Sequence, residues 1–199
     1  MLEHTASGRS ALWLQSSAPI TDAVIETSQP PTTTAVGDLI WFDADNDGSF
    51  DADEQGLNNV ILALYPAGAS VEAAPFMTTT SSALDGRDGR YLFSNVPPGE
   101  YFIHIPATQF QPDGPLNGLV STGPTAGDPN DNEDEDAPAS DNGLNNGQPA
   151  QNGISSGSFQ LTLGDEPTGE NVGDAPAAWD NYDNLTIDFG FYRPLQIGN

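Results

Sequence analysis

Six carboxylates stand within twelve residues of this 199-residue chain, in the run DADNDGSFDADE at 43–54. Two carboxylates about 5 Å apart repel by roughly 1 kcal/mol even in water. A folded loop of this composition therefore needs full solvation or a cation at its centre, and the spacing favours the cation. Asp43, Asp45 and Asp47 fall at positions 1, 3 and 5 of a twelve-position oxygen-ligand loop, with Gly48 at position 6, where the chain must turn sharply. Ser49 at position 7 offers its backbone carbonyl, Asp51 at position 9 acts through water, and Glu54 at position 12 supplies a bidentate carboxylate. Phe50 at position 8 is apolar and suited to anchoring the loop. Hard oxygen ligands favour Ca2+, since Mg2+ demands a tighter octahedron and keeps its waters.

The elements that must position this loop read as strands. DLIWF (38–42) precedes it, and GLNNVILALYP (56–66) follows with a turn and another apolar run. A calcium sensor works by moving two helices. No helices flank the loop, so an ion here is expected to staple strands together. Further along, FMTTTS (76–81) reads as an edge strand, and RYLFSNV (90–96) and YFIHIP (101–106) as a hairpin through PPGE. Tyr101, Ile103 and Ile105 alternate with Phe102 and His104, which places His104 off the core face and on the surface. SSGSFQLTL (155–163) and LTIDFGFY (185–192) complete the set. Roughly seven short strands, with 21 glycines and 17 prolines for the turns, predict an all-β fold: an antiparallel two-sheet sandwich with long acidic loops.

Two long connections interrupt the strands, at 122–153 and 164–184. The first holds seven carboxylates between Asp128 and Asp141. Asp128, Asn130, Asn132, Asp134 and Asp136 alternate as oxygen ligands along an extended segment. They form a second Ca2+ site or a solvated acidic loop, and the need for a source of order favours the ion. Asp85 and Asp88 read as a turn or a third site. Asp188 interrupts an apolar strand and either completes a metal shell or faces outward.

The charge balance sets 29 acids against four arginines, with a net charge of −25 and no lysine. Nucleic acid and anionic lipid are excluded as partners on this ground. A halophilic surface explains diffuse acidity but not regular spacing. Cysteine is absent, so disulfides are excluded, as are crosslinks through a lysine amine. If the domain is extracellular, neither covalent staple is available to it and metal ions are the remaining candidate. No run of 18 apolar residues spans a membrane, and ALWL (11–14) is too short for the apolar part of a secretory leader. Catalysis has no support: His4 and His104 stand apart, and no Ser-His-Asp set, phosphate-binding loop or histidine-bearing zinc motif occurs. Trp13, Trp41 and Trp179 are candidates for stacking on sugar rings; Trp41 sits in a core strand and reads as packing, while Trp179, near Tyr182, is either a contact for a glycan or protein ligand or a loop anchor.

Residues 1–35 differ from the rest. ALWLQ (11–15) and DAVIET (22–27) have strand character and are followed by the proline- and threonine-rich linker SQPPTTT. The expected organisation is an N-terminal arm at 1–35 and a sandwich at 36–199. Such an arm is a disordered leader, an eighth strand on its own sandwich, or a strand added to the open edge of a neighbouring sandwich, which repeated head to tail gives a filament.

Three motifs carry a resemblance. VGDLIWFDADNDGSFDADEQGLNNVILALY, GRYLFSNVPPGEYFIHI and LTIDFGFYRP resemble, in order, the opening, middle and closing strands of the SdrD B-like domain, a calcium-binding repeat of bacterial surface proteins. The resemblance covers residues 36–194. It implies a Cna B-like or prealbumin-like Greek-key sandwich, an extracellular or cell-surface location and calcium-dependent rigidity. The function expected is that of a calcium-stabilised structural subunit associating with copies of itself or with neighbouring domains. An adhesin module binding a host protein or glycan is the alternative.

Overall fold

A computed structural model describes residues 29–84, 86–122, 129, 141–144, 148–169 and 180–195. The apolar runs become β1 (Thr34–Phe42), β2 (Gln55–Gly56), β3 (Ile61–Pro66), β4 (Met77–Thr80), β5 (Ser82–Leu84), β6 (Arg87–Val96) and β7 (Gly99–Ile105). They continue as β8 (Val120–Ser121), β9 (Gly143–Leu144), β10 (Ile154–Ser156), β11 (Phe159–Leu161), β12 (Asp183–Asn184) and β13 (Phe189–Tyr192). The α-helix among them, α1 (Pro149–Asn152), is one turn long. No helix among the described residues is long and apolar enough to cross a membrane.

The strands form the expected two-sheet, all-β architecture. One sheet runs β5-β6-β1-β13-β8, with β2 and β12 also on β1; the other runs β4-β3-β7-β10-β9, with β11 on β7. Pairing is antiparallel except where β1 meets β12 and β13, which run parallel to it. β4 is an edge strand, as the exposed threonines of its sequence predict.

The expected hairpin between β6 and β7 does not form. β6 pairs with β1 and β5 in one sheet, whereas β7 pairs with β3, β10 and β11 in the other. Val96 is still in register with Thr34 of the first sheet, and Gly99 is already opposite Leu161 of the second. Pro97 and Pro98 make the crossing. Neither has an N–H to extend a ladder, and Tyr101 Oη closes the arch by donating to Pro97 O at 3.0 Å.

Alternate side chains of both sheets meet in one core. Val36 and Ile40 of β1, Leu62 and Leu64 of β3, Tyr91 and Phe93 of β6, Tyr101, Ile103 and Ile105 of β7, and Phe189 and Phe191 of β13 all belong to it. Each such side chain contributes roughly 1.5–3 kcal/mol on leaving water. β1 is central in its sheet, and its first eight residues are buried. His104 does point off the core face but is buried, contrary to expectation. Its Nδ1 lies 2.8 Å from Ser155 Oγ, and the Tyr65 ring packs edge-on against it at 6.3 Å. That burial lowers its pKa.

Two polar features support β1 from within. Between β12 and β13 the ladder to β1 breaks, and Leu39 N–H donates instead to Asp188 Oδ1 at 2.7 Å. Asp188 is thus a buried substitute for a strand carbonyl, which answers the question its place in an apolar run raises. Asp38 of β1 forms a salt bridge with Arg90 of β6, both side chains being almost wholly buried.

Candidate metal centre

β1 delivers the acidic loop and β13 holds its first residue. Asp43 N–H continues the parallel ladder by donating to Phe191 O at 2.9 Å, so position 1 is fixed by the sheet. The following residues fold back over the Asp43 carboxylate. Asn46 N–H donates to Oδ1 and Gly48 N–H donates to Oδ2 at 2.9 Å. This wrap requires left-handed backbone at both positions, with φ of 63° at Asn46 and 88° at Gly48. Asn and Gly are the residues that adopt it at least cost.

The loop brings Asp43, Asp45 and Asp47 together, with one carboxylate oxygen from each lying within 4.8 Å of the others. Ca2+ binds oxygen at about 2.3–2.6 Å, so oxygens on one coordination sphere stand up to about 5 Å apart, and the trio fits. Asp43 is buried, while Asp45 and Asp47 are exposed. Ser49 N–H donates to Asp47 Oδ1 at 2.8 Å and Asp47 N–H to Asp45 Oδ1 at 3.2 Å, which orients both carboxylates. Asp51 and Glu54 lie outside the trio. Glu54 closes the loop on itself: Oε1 accepts from Ala44 N–H at 2.6 Å and Oε2 from Asp51 N–H at 3.1 Å. Phe50 packs edge-on against Trp41 at 6.3 Å, and the Arg87 guanidinium lies 5.8 Å from the Phe50 ring.

The electrostatics are those of crowded anions. The Asp45 carboxyl lies above its ordinary range, chiefly through lost solvation in the loop and then through the charges of Asp47, Asp43 and Asp51. The Glu54 carboxyl is raised by partial burial, against which the two backbone donors work. A divalent cation at the trio would relieve this repulsion.

Residues far from the loop in sequence complete its floor. Thr122 Oγ1 donates to Asp43 Oδ2, and its oxygen lies 3.0 Å from Asn46 Oδ1. Next to it, Ser121 Oγ donates to Asp141 Oδ2 at 2.5 Å, and Asp141 Oδ1 accepts from Gly143 N–H at 2.9 Å and Gly190 N–H at 3.2 Å. Asn142 pairs with the Asp188 backbone in both directions. Residues 141–144 therefore bind β13 of one sheet and, through β9, β10 of the other. Thr122 stands 79 positions from Asp43, so nothing in the local sequence of the loop signals it. Asp128, Asn130, Asn132, Asp134 and Asp136 lie outside the described residues, as do Asp85, Trp13, Trp179, His4 and the strand-like segments at 11–15 and 22–27. Asp88 is described, and it accepts from Asn58 Nδ2 at 2.7 Å.

Asp141 makes a test of this floor. Burial, assisted by the nearby Asp43 charge, pushes its carboxyl from 3.8 up to about 7, although three donors work the other way. The folded chain therefore holds this proton more tightly than the unfolded chain. The stability this group contributes is fully present below pH ~4 and is lost as pH rises through ~7. Asp141→Asn keeps the acceptor for Gly143 and Gly190 and removes the charge. In chelator at pH 8 it is expected to stabilise the chain by roughly 2–4 kcal/mol, with little gain at pH 4. Thermal melts at the two pH values measure this. A variant less stable than wild type at pH 8 shows that the ionised carboxylate is needed.

A family model described as the SdrD B-like domain matches residues 34–164. Colossin-A of Dictyostelium discoideum is 37% identical over 79 residues, covering 39% of this chain and 1% of that protein. Serine-aspartate repeat-containing protein I of Staphylococcus saprophyticus is 32% identical over 71 residues, covering 36% of this chain and 3% of that protein. The chain thus spans a few hundredths of the length of these relatives. A structural match to the full-length major pilin SpaD of Corynebacterium diphtheriae covers 81% of this chain and 32% of that one, at 10% identity and a TM-score of 0.37.

Proposed function

Because the chain belongs to the SdrD B-like domain family, we propose that it is a structural module of an extracellular or cell-surface protein, stapled by Ca2+ and not catalytic. The carrying observation is the gathering of Asp43, Asp45 and Asp47 oxygens within 4.8 Å, in a loop whose first residue is bonded to β13. An ion held there ties the end of β1 to the neighbouring strand β13. It supplies the crosslink that a chain without cysteine or lysine must find elsewhere. Asp43, Asp45 and Asp47 are the core ligands, and Glu54, Asp51 and the Ser49 carbonyl join as the loop closes on the ion. A second ion among Asp128, Asn130, Asn132, Asp134 and Asp136 belongs to the same proposal. Partners are neighbouring domains or further copies of this chain, engaged through the N-terminal arm. The strand-like runs at 11–15 and 22–27 support that role for the arm.

Two measurements test this reading. Calorimetric titration of Ca2+ into chelator-stripped protein is expected to show at least one ion that the Asp45→Asn/Asp47→Asn variant no longer binds. Sedimentation velocity with Ca2+ is expected to show concentration-dependent association that is lost when residues 1–28 are removed. A wild-type chain that stays monomeric at high concentration with Ca2+ sinks the self-association. Absence of Ca2+ binding sinks the staple.

A further inference from the structure

We propose that Thr122, 68 positions beyond the end of the twelve-residue loop, is a positioning residue of the candidate Ca2+ centre, holding the Asp43 carboxylate in the orientation that presents it to the ion. The inference rests on the calcium reading and names a determinant of affinity that lies outside the loop. Asp43 is the one member of the acidic trio that is buried. An ionised carboxylate removed from water is tolerated only when donors surround it. Two of its donors, the N–H groups of Asn46 and Gly48, belong to the loop itself and move with it. The third, the Thr122 hydroxyl, belongs to a different part of the chain.

Thr122 is itself fixed. Its N–H donates to Gly190 O at 3.0 Å, immediately after the pairing of β8 with β13. It reaches Asp43 because Gly190 carries no side chain: a β-carbon there would lie 2.4 Å from Thr122 Cγ2 and 2.6 Å from Trp41 Cζ2. Ser121, its neighbour, is tied to Asp141 and lies within 3.3 Å of Gly143 O. The hydroxyl therefore belongs to a rigid floor built on β8 and β13. It references the Asp43 carboxylate to that floor, whereas Asp45 and Asp47 lie on the exposed side of the loop and accept from backbone N–H groups of the loop itself. Partners that orient metal ligands from outside the coordination sphere typically contribute 10–100-fold to affinity. Asn46 Oδ1 lies 3.0 Å from Thr122 Oγ1 and is a second acceptor within reach of the same single proton.

The test compares pairs of variants that differ by the hydroxyl alone. Calorimetric Ca2+ titrations are run at 20 °C on the full chain as wild type and as Thr122→Val, Thr122→Ser and Thr122→Ala. Val against Thr and Ala against Ser each isolate the hydroxyl, so the question survives if one variant fails to fold. The expected result is Ca2+ affinity about 10-fold weaker or more for Val and Ala, with Ser within about threefold of wild type. A structural role alone lowers the melting temperature of the variants in chelator and leaves their affinity at 20 °C unchanged. Equal affinity across the Val/Thr and Ala/Ser pairs overturns this inference and leaves the Ca2+ reading intact. No binding by the wild-type chain overturns both.

Discussion

Removing divalent ions from the wild-type chain is expected to lower its melting temperature by about 5–10 °C at moderate ionic strength. The magnitude follows from linkage. An ion present at a hundred times its dissociation constant stabilises the native state by about 2.7 kcal/mol. In a chain of this size each kcal/mol moves the midpoint by about 2–4 °C. The trio has no basic residue within its loop to offset its charge, so without an ion its repulsion acts directly on the junction of β1 with β13. Thermal melts in chelator and in millimolar Ca2+, each at fixed sodium chloride, separate this effect from general screening. Diffuse acidity responds to sodium chloride and Ca2+ at matched ionic strength alike, whereas a coordination site responds to Ca2+ specifically. The Asp45→Asn/Asp47→Asn variant is expected to lose the share of the Ca2+-dependent shift that this loop supplies, so that its two melting temperatures lie closer together than those of the wild type. A wild-type curve indifferent to chelator would falsify the staple.

Arg90→Met is expected to destabilise the chain by about 3–5 kcal/mol, because it withdraws the cation from a carboxylate that stays buried. Asp38 and Arg90 join the central strand β1 to β6, and their side chains are 2% and 3% exposed. Breaking such a pair from one side costs far more than replacing it whole. The double variant Asp38→Asn/Arg90→Met is therefore expected to recover most of the loss. Chemical denaturation of the two single variants and the double variant closes the cycle. Additive losses would show that the two side chains act independently.

The candidate site was legible from residues 43–54 because a coordination loop writes its requirements locally. Carboxylates must alternate, and a glycine must stand where φ turns positive, so the order of residues is itself the signal. The two-sheet fold was legible for a similar reason, through the period-two alternation seen in Tyr101, Ile103 and Ile105. Sheet membership was less so. The PPGE segment carries the marks of a tight turn, yet a pair of prolines serves equally well where a chain leaves one sheet for another. Only the register of Val96 and Gly99 with different partners distinguishes the two. His104 shows a second limit. Alternation tells which face of a strand a side chain takes, but not that Tyr65 covers that face. Thr122 and Asp141 were illegible because their partners lie across the fold, and nothing in a threonine's neighbours announces a distant aspartate.

The parallel pairing of β1 with β13 has a mechanical consequence. Their registers run Ile40 opposite Phe189 through Phe42 opposite Phe191. A pull applied through the start of β1 and the end of β13 acts along both strands in opposite senses. The bonds between them then bear the load together in shear instead of opening one after another like a zip. Endurance under such tension is set by the unfolding rate. The Asp43–Phe191 bond stands at the far end of this seam, so whatever holds Asp43 in place also governs how much force the module withstands before it extends.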